Sequence, residues 1–163
     1  MDWPFPFDPH RYGPEVAELL REARLPELGP GQPVLSRREQ LSRLHLSAPC
    51  RAGMWLYFDF LEESHRISQS LSTPEGSFWH AIMHRREPDA WNSKYWWRRV
   101  GHHPVLAQLQ NLAPRLGYTY TSPEAFVDFC EAVRGSGSEQ EQLARQVQLL
   151  EWQLLFDYCY NQT

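Results

Sequence analysis

The sequence contains no Cys-x-x-Cys pair, no glycine-rich phosphate loop and no nucleophile motif, so the enzyme classes those patterns mark have no support. Its three cysteines, Cys50, Cys130 and Cys159, are far apart and odd in number, which implies no disulfide framework. Cys130 and Cys159 lie among apolar neighbours and read as small core residues. No apolar stretch approaches the roughly 18 residues a membrane span needs. The opening MDWPFPFDPHRYGP lacks the basic start and apolar run of a signal peptide. A soluble, cytoplasmic protein with no membrane association is the expectation. Positive charge is also short: the net charge is −4 and the pI about 6.0, which argues against a nucleic-acid partner.

What is present is helical punctuation. At 163 residues the chain is expected to form one domain, 1–163. Pro14 suits a first helical position, for a helix over about 14–25 that ends before Pro26. Ser36 and Glu39 have capping-box spacing, for about 37–46. Between Arg51 and Leu71, the residues Leu56, Phe60, Ser64 and Ile67 share one helical stripe. Thr73-Pro74 opens a helix that must end near Pro88, and Asp89 can cap about 90–100 with Gly101 as its stop. Pro104 begins a helix to about Leu116, loosened by Pro114, and Ser122-Pro123-Glu124 starts another that Gly135 closes. Ser138 and Glu141 cap the last, about 139–160. Its two apolar faces, one along Leu143, Val147, Leu150 and Leu154 and one along Leu149, Trp152 and Phe156, predict a central, buried position. The segment 119–121, Thr-Tyr-Thr, is the one strand-like piece, and the first dozen residues are expected to lie extended over the surface. The fold class predicted is all-α, a single-domain bundle of about eight helices.

Chemistry concentrates in FWHAIMHRREPDAWNSKYWWRRVGHHPV, residues 78–105, which holds four of seven histidines, four of seven tryptophans and the only lysine. From His84 to His103 there are five Arg/Lys against two acids, whereas from Ser122 onward seven acids face two arginines. On a helix His80, His84 and Glu87 lie side by side, and two histidines four apart can chelate one divalent metal with Glu87 adding an oxygen. His65 or Glu62, from an upstream Glu-x-x-His, would complete the shell. The plain alternatives are a packed His65, a Glu62–Arg66 helical ion pair, and hydrogen-bonded structural roles for His80 and His84. In the next helix Ser93, Trp96, Trp97 and Val100 read as core, while Trp91, Tyr95 and Arg98 share another face, where the guanidinium could lie over the rings. Asn92 and Arg99 could hold a carboxylate or phosphate, with Arg98 at the rim and His102 and His103 folding back from the loop. The competing expectation pairs Arg98 or Arg99 with Glu87, Asp89 or an acid of the last helix.

The run His80-Ala81-x-x-His84-Arg85-x-Glu87-x-Asp89-x-x-Asn92-x-x-Tyr95-Trp96-x-Arg98-Arg99-x-Gly101-x-His103-Pro104 resembles the signature of a family of uncharacterised proteins thought to be soluble. That resemblance covers about 25 residues and implies no activity and no role for any residue. The hairpin is weakly similar to a tetratricopeptide repeat but lacks its Trp, Leu and Tyr positions and has no second copy.

Two functions follow as expectations. The first is a helical binding protein that takes a small anion or a protein partner through the 80–103 hairpin, using His80, His84, Glu87, Asn92, Arg98, Arg99 and His103. The second is a metal-dependent enzyme, a hydrolase or an oxygen-using enzyme, with His80, His84 and Glu87 as ligands. A third, nucleic-acid binding through Arg85, Arg86, Arg98 and Arg99 with stacking tryptophans, is opposed by the net acidity.

Overall fold

The computed structural model describes residues 2–162, and among these every regular element is helical. The helices are α1 (Pro14–Leu19), α2 (Arg38–Ser42), α3 (Ala48–Tyr57), α4 (Leu61–Gln69), α5 (Pro74–Arg86), α6 (Ala90–Val100), α7 (Pro104–Leu112), α8 (Pro123–Val133) and α9 (Glu139–Asn161). Helices α3 to α6 pack each on the next, α6 also meets α8, and α9 lies against α3, α7 and α8. No helix among the described residues is long and apolar enough to cross a membrane.

The starts follow local chemistry. Thr73 Oγ1 accepts from Gly76 N (3.1 Å), Asp89 Oδ1 from Asn92 N (3.1 Å), Ser122 Oγ from Ala125 N (3.0 Å) and Ser138 Oγ from Glu141 N (3.2 Å). Each satisfies an amide that the first helical turn leaves without a partner. Gly101 ends α6 at a φ of 64°, a left-handed conformation that a side chain would resist. After Leu112 the chain tightens into a 3-10 turn at Ala113–Leu116, as Pro114 requires. Helix α9 is buried on several sides, with Val147, Leu150, Leu155 and Phe156 all at 1 % exposure or less.

Four local expectations are corrected. The helix over 14–25 stops at Leu19, and the chain beyond it runs irregularly into a stretch whose carbonyls are bonded by distant side chains. Arg145 takes Leu25 O and Pro26 O, Gln148 takes Glu27 O, Arg134 takes Leu28 O and Arg86 takes Gly29 O. The box at Ser36 and Glu39 does not form; a 3-10 turn at Leu35–Arg37 leads instead into a short α2. The stripe over 51–71 is broken in two at Phe58–Phe60, where Asp59 has a φ of 68°. Its carboxylate is gripped by Arg86 Nη2 (2.6 Å) and Arg24 Nη2 (2.9 Å), charge-assisted bonds that hold the turn open. The break makes nine α-helices among the described residues where about eight were expected. Residues 119–121 form no strand.

The N-terminal segment lies over the bundle as expected, then turns through a 3-10 element at Pro9–Tyr12. Trp3 stacks near Tyr57 and Trp152 (ring centroids 6.0 and 6.1 Å), and Gln153 Nε2 donates to Phe5 O (2.9 Å).

Helices α3 and α5 approach closely because Gly53 has no side chain. A Cβ there would sit 2.6 Å from Trp79 Cζ2, and Trp79 is fully buried. Gly53→Ala is expected to destabilise by about 1–3 kcal/mol in urea unfolding, the usual cost of overpacking. An unchanged midpoint would mean that the Trp79 ring moves aside freely.

Candidate functional site

The hairpin α5–α6 turns on Glu87-Pro88-Asp89, where Asp89 N donates to His84 O (2.7 Å) and the Asp89 side chain caps α6. Helix α5 is buried nearly all round, so its polar side chains enter the interior with its apolar ones. Arg85 and Arg86 show what that does to charge. Arg85, with no exposed surface, makes a two-point contact with Glu151, Nη1 to Oε2 at 3.0 Å and Nη2 to Oε1 at 2.7 Å. Gln148 Oε1 accepts a further bond (3.1 Å), and the guanidinium lies over the Phe126 ring at 4.7 Å. Glu151, also without exposed surface, holds the Arg85 charge against a large burial penalty. Arg86 is held by Asp59 and by the carbonyls of Leu56 and Gly29. Both arginines are internal struts and present nothing to a nucleic acid.

On the other flank of α5 lie His80 and His84, one turn apart, and α4 brings His65 against them. The three rings form a cluster: centroids are 4.7 Å apart for His65–His80, 4.8 Å for His80–His84 and 5.5 Å for His65–His84. One nitrogen from each ring lies within 4.8 Å of one nitrogen of both others. Trp96 of α6 closes the site from the side, stacked on His80 at 3.8 Å with planes 17° apart. His80 is 3 % exposed, the His84 side chain 12 %, and His65 is half-buried, which puts the outer edge of the cluster at the surface.

The electrostatics are unfavourable as the rings stand. His80 Nδ1 and His84 Nδ1 are buried and have no hydrogen-bond partner. A buried polar atom left unpaired costs about 1–3 kcal/mol. Burial, then the neighbouring His84 and His65 rings, push the His80 value down to about 3. Burial likewise lowers His84, although Glu87 opposes it. Both rings are therefore neutral near pH 7, the form in which imidazole ligates metal.

The other expected site residues are dispersed. Glu87 is exposed, with Oε1 3.5 Å from His84 Nδ1 and no hydrogen bond between them. Glu62 is taken by Arg66 (2.7 Å), as its helical spacing suggested, so of the two upstream candidates it is His65 that joins the pair. The Asn92 amide bonds to Asp89 Oδ2 (2.7 Å), and its bonds hold that carboxyl below the usual carboxylate range. His103 sits at the far end of the hairpin as the cap of α7, with Nδ1 accepting from Val105 N (3.1 Å) and Nε2 2.9 Å from Glu75 Oε2. Arg98 and Arg99 are both exposed, and neither makes an ion pair among the described residues. Among the acids of the last helix, Glu151 is taken by Arg85, Asp157 accepts from Tyr12 and Glu141 accepts from the Gly137 amide. Arg99 lies over the Trp96 ring at 5.4 Å, on a groove shared with Ser72, Thr73 and Ser77; Arg98 opens on a different groove with Trp97, His102 and Tyr120. Trp91 and Tyr95 stay exposed on the outer face of α6.

Compared with protein-family models, with curated proteins and with solved structures, the chain matches none. The site is therefore read from its own chemistry.

Proposed function

We propose that this protein binds a divalent transition-metal ion through His65, His80 and His84. The observation that carries the reading is the convergence of three imidazoles from two helices with two buried ring nitrogens unpartnered. A single ion would satisfy both. Zinc–imidazole bonds of about 2.0–2.1 Å place ligand nitrogens roughly 3.3 Å apart in a tetrahedral shell. The nitrogens present need move only on the order of 1 Å to reach that spacing. Imidazole donors suit zinc, copper, nickel and iron over calcium or magnesium. Glu87 and Asp89 would then lie in the ion's surroundings, and Trp96 would shield His80 from solvent.

The small-anion reading built on Arg98 and Arg99 has less support, since the two guanidiniums open on separate grooves. Thermal unfolding separates the two. Zinc at about 100 times its dissociation constant stabilises the native state by about 2.7 kcal/mol, roughly 5–10 °C for a chain of this size. Chelator should reverse the rise, and His80→Ala, checked as folded by circular dichroism, should abolish it. A rise with phosphate alone, lost in Arg99→Ala, would favour the anion reading; no rise with zinc, cobalt or nickel would leave the histidines a packed cluster.

A further inference from the structure

We infer that the ion at this site keeps one coordination position open toward solvent, and that this position takes water or a small anion such as azide, cyanide or a carboxylate. The inference rests on the metal-binding reading above and goes beyond it, because a closed site would only brace α4 against α5. Structural zinc sites use four protein ligands, whereas sites that act on a substrate use three and leave the fourth to water.

The nearby carboxylates decide which kind this is. On α4, Glu62 is engaged by Arg66 at 2.7 Å and Glu63 by Arg38 at 3.0 Å. At the hairpin turn, Asp89 spends one oxygen on Asn92 N and the other on Asn92 Nδ2, so using it would uncap α6. Glu87 and Asp89 form a second group with His84, their ligand atoms all within 4.8 Å of one another, but neither joins the group that His65 and His80 complete. Among the described residues no carboxylate belongs to the three-histidine group itself. His80, more than nine-tenths buried, carries an unpartnered Nδ1, whereas His65 is only half-buried.

Charge points the same way. Three imidazole ligands, which bind metal in their neutral form, leave the ion its full double positive charge. A coordinated anion, or water that has released a proton to solvent, would offset that charge. Metal-bound water in such sites ionises near pH 7.

Cobalt(II) in the full-length protein is the probe, because its visible spectrum reports ligand number and identity. The expected result is an intense four-coordinate spectrum that shifts saturably with azide and also shifts between pH 6 and pH 9, in wild type and in Glu87→Gln alike. A wild-type spectrum indifferent to azide, becoming sensitive only in Glu87→Gln, would overturn the inference and leave metal binding intact, with Glu87 as the fourth ligand. An azide-indifferent spectrum in both proteins would overturn it as well. Failure to take up cobalt, zinc or nickel at all would remove the metal-binding reading itself, and this inference with it.

Discussion

Glu151→Ala is expected to lower the free energy of unfolding by about 3–5 kcal/mol, the range for breaking a buried ion pair from one side. Both members of the Arg85–Glu151 pair are without exposed surface, and Glu151 supplies two of the guanidinium's three charge-assisted or polar contacts. Removing the carboxylate leaves a cation that cannot deprotonate, with Gln148 Oε1 as its hydrogen-bond acceptor and the Phe126 face beside it. Native proteins have only about 5–15 kcal/mol of stability to lose. The double variant Arg85→Met/Glu151→Leu should recover much of the deficit, because it removes the stranded charge along with its partner. Urea unfolding checks both proteins. A loss under about 1 kcal/mol in Glu151→Ala would mean that water reaches Arg85.

The second large effect is a loss of stability in mild acid, measured with chelator present. His80 titrates near 3 in the folded chain against an ordinary histidine value of 6.5, so below pH 6.5 the unfolded chain binds a proton that the folded one refuses. Stability supplied by the neutral ring is complete above the unfolded value. It is lost as pH falls, at about 1.4 kcal/mol per pH unit. Between about pH 6.5 and about pH 4.5 His80 alone should cost about 2 kcal/mol, and His84, lowered by the same burial, adds in the same direction. Carboxylates also titrate at the acid end, so the informative quantity is the difference in slope between wild type and His80→Gln. Equal slopes would show that the folded protein accepts a proton at His80. With metal bound the same titration should steepen, because protons then compete with the ion for all three rings.

The two predictions concern groups that differed in how far the sequence exposed them. The helices from α5 onward were legible within a residue or two, except that α7 ends four residues early in a 3-10 turn, because caps, first-turn prolines and stop glycines act inside one turn of chain. The i, i+4 pair His80 and His84 was legible for the same reason, and so was its proximity to the following helix across a three-residue turn. A signal for the buried pair was also present, since Glu151 lies between Leu149-Leu150 and Trp152 on a helix with two apolar faces. Arg85 and Arg86 read instead as surplus surface charge, because their partners are 66 and 27 residues away.

By itself the sequence determined an all-helical chain, a buried C-terminal helix, and a polar hairpin with two histidines on one face. Only the tertiary structure decided that His65 and not Glu62 meets them, that Arg98 and Arg99 face different grooves, and that His103 serves as a helix cap. It also decided where helices fail. Residues 25–29 are held irregular where Arg86, Arg134, Arg145 and Gln148 take their carbonyls, and α3 parts from α4 where two arginines converge on Asp59. Local propensity amounts to a few tenths of a kcal/mol per residue, and a charge-assisted bond in the interior outweighs it. Such bonds join positions whose separation along the chain carries no periodic signal, so they exist for the molecule only once the helices have packed.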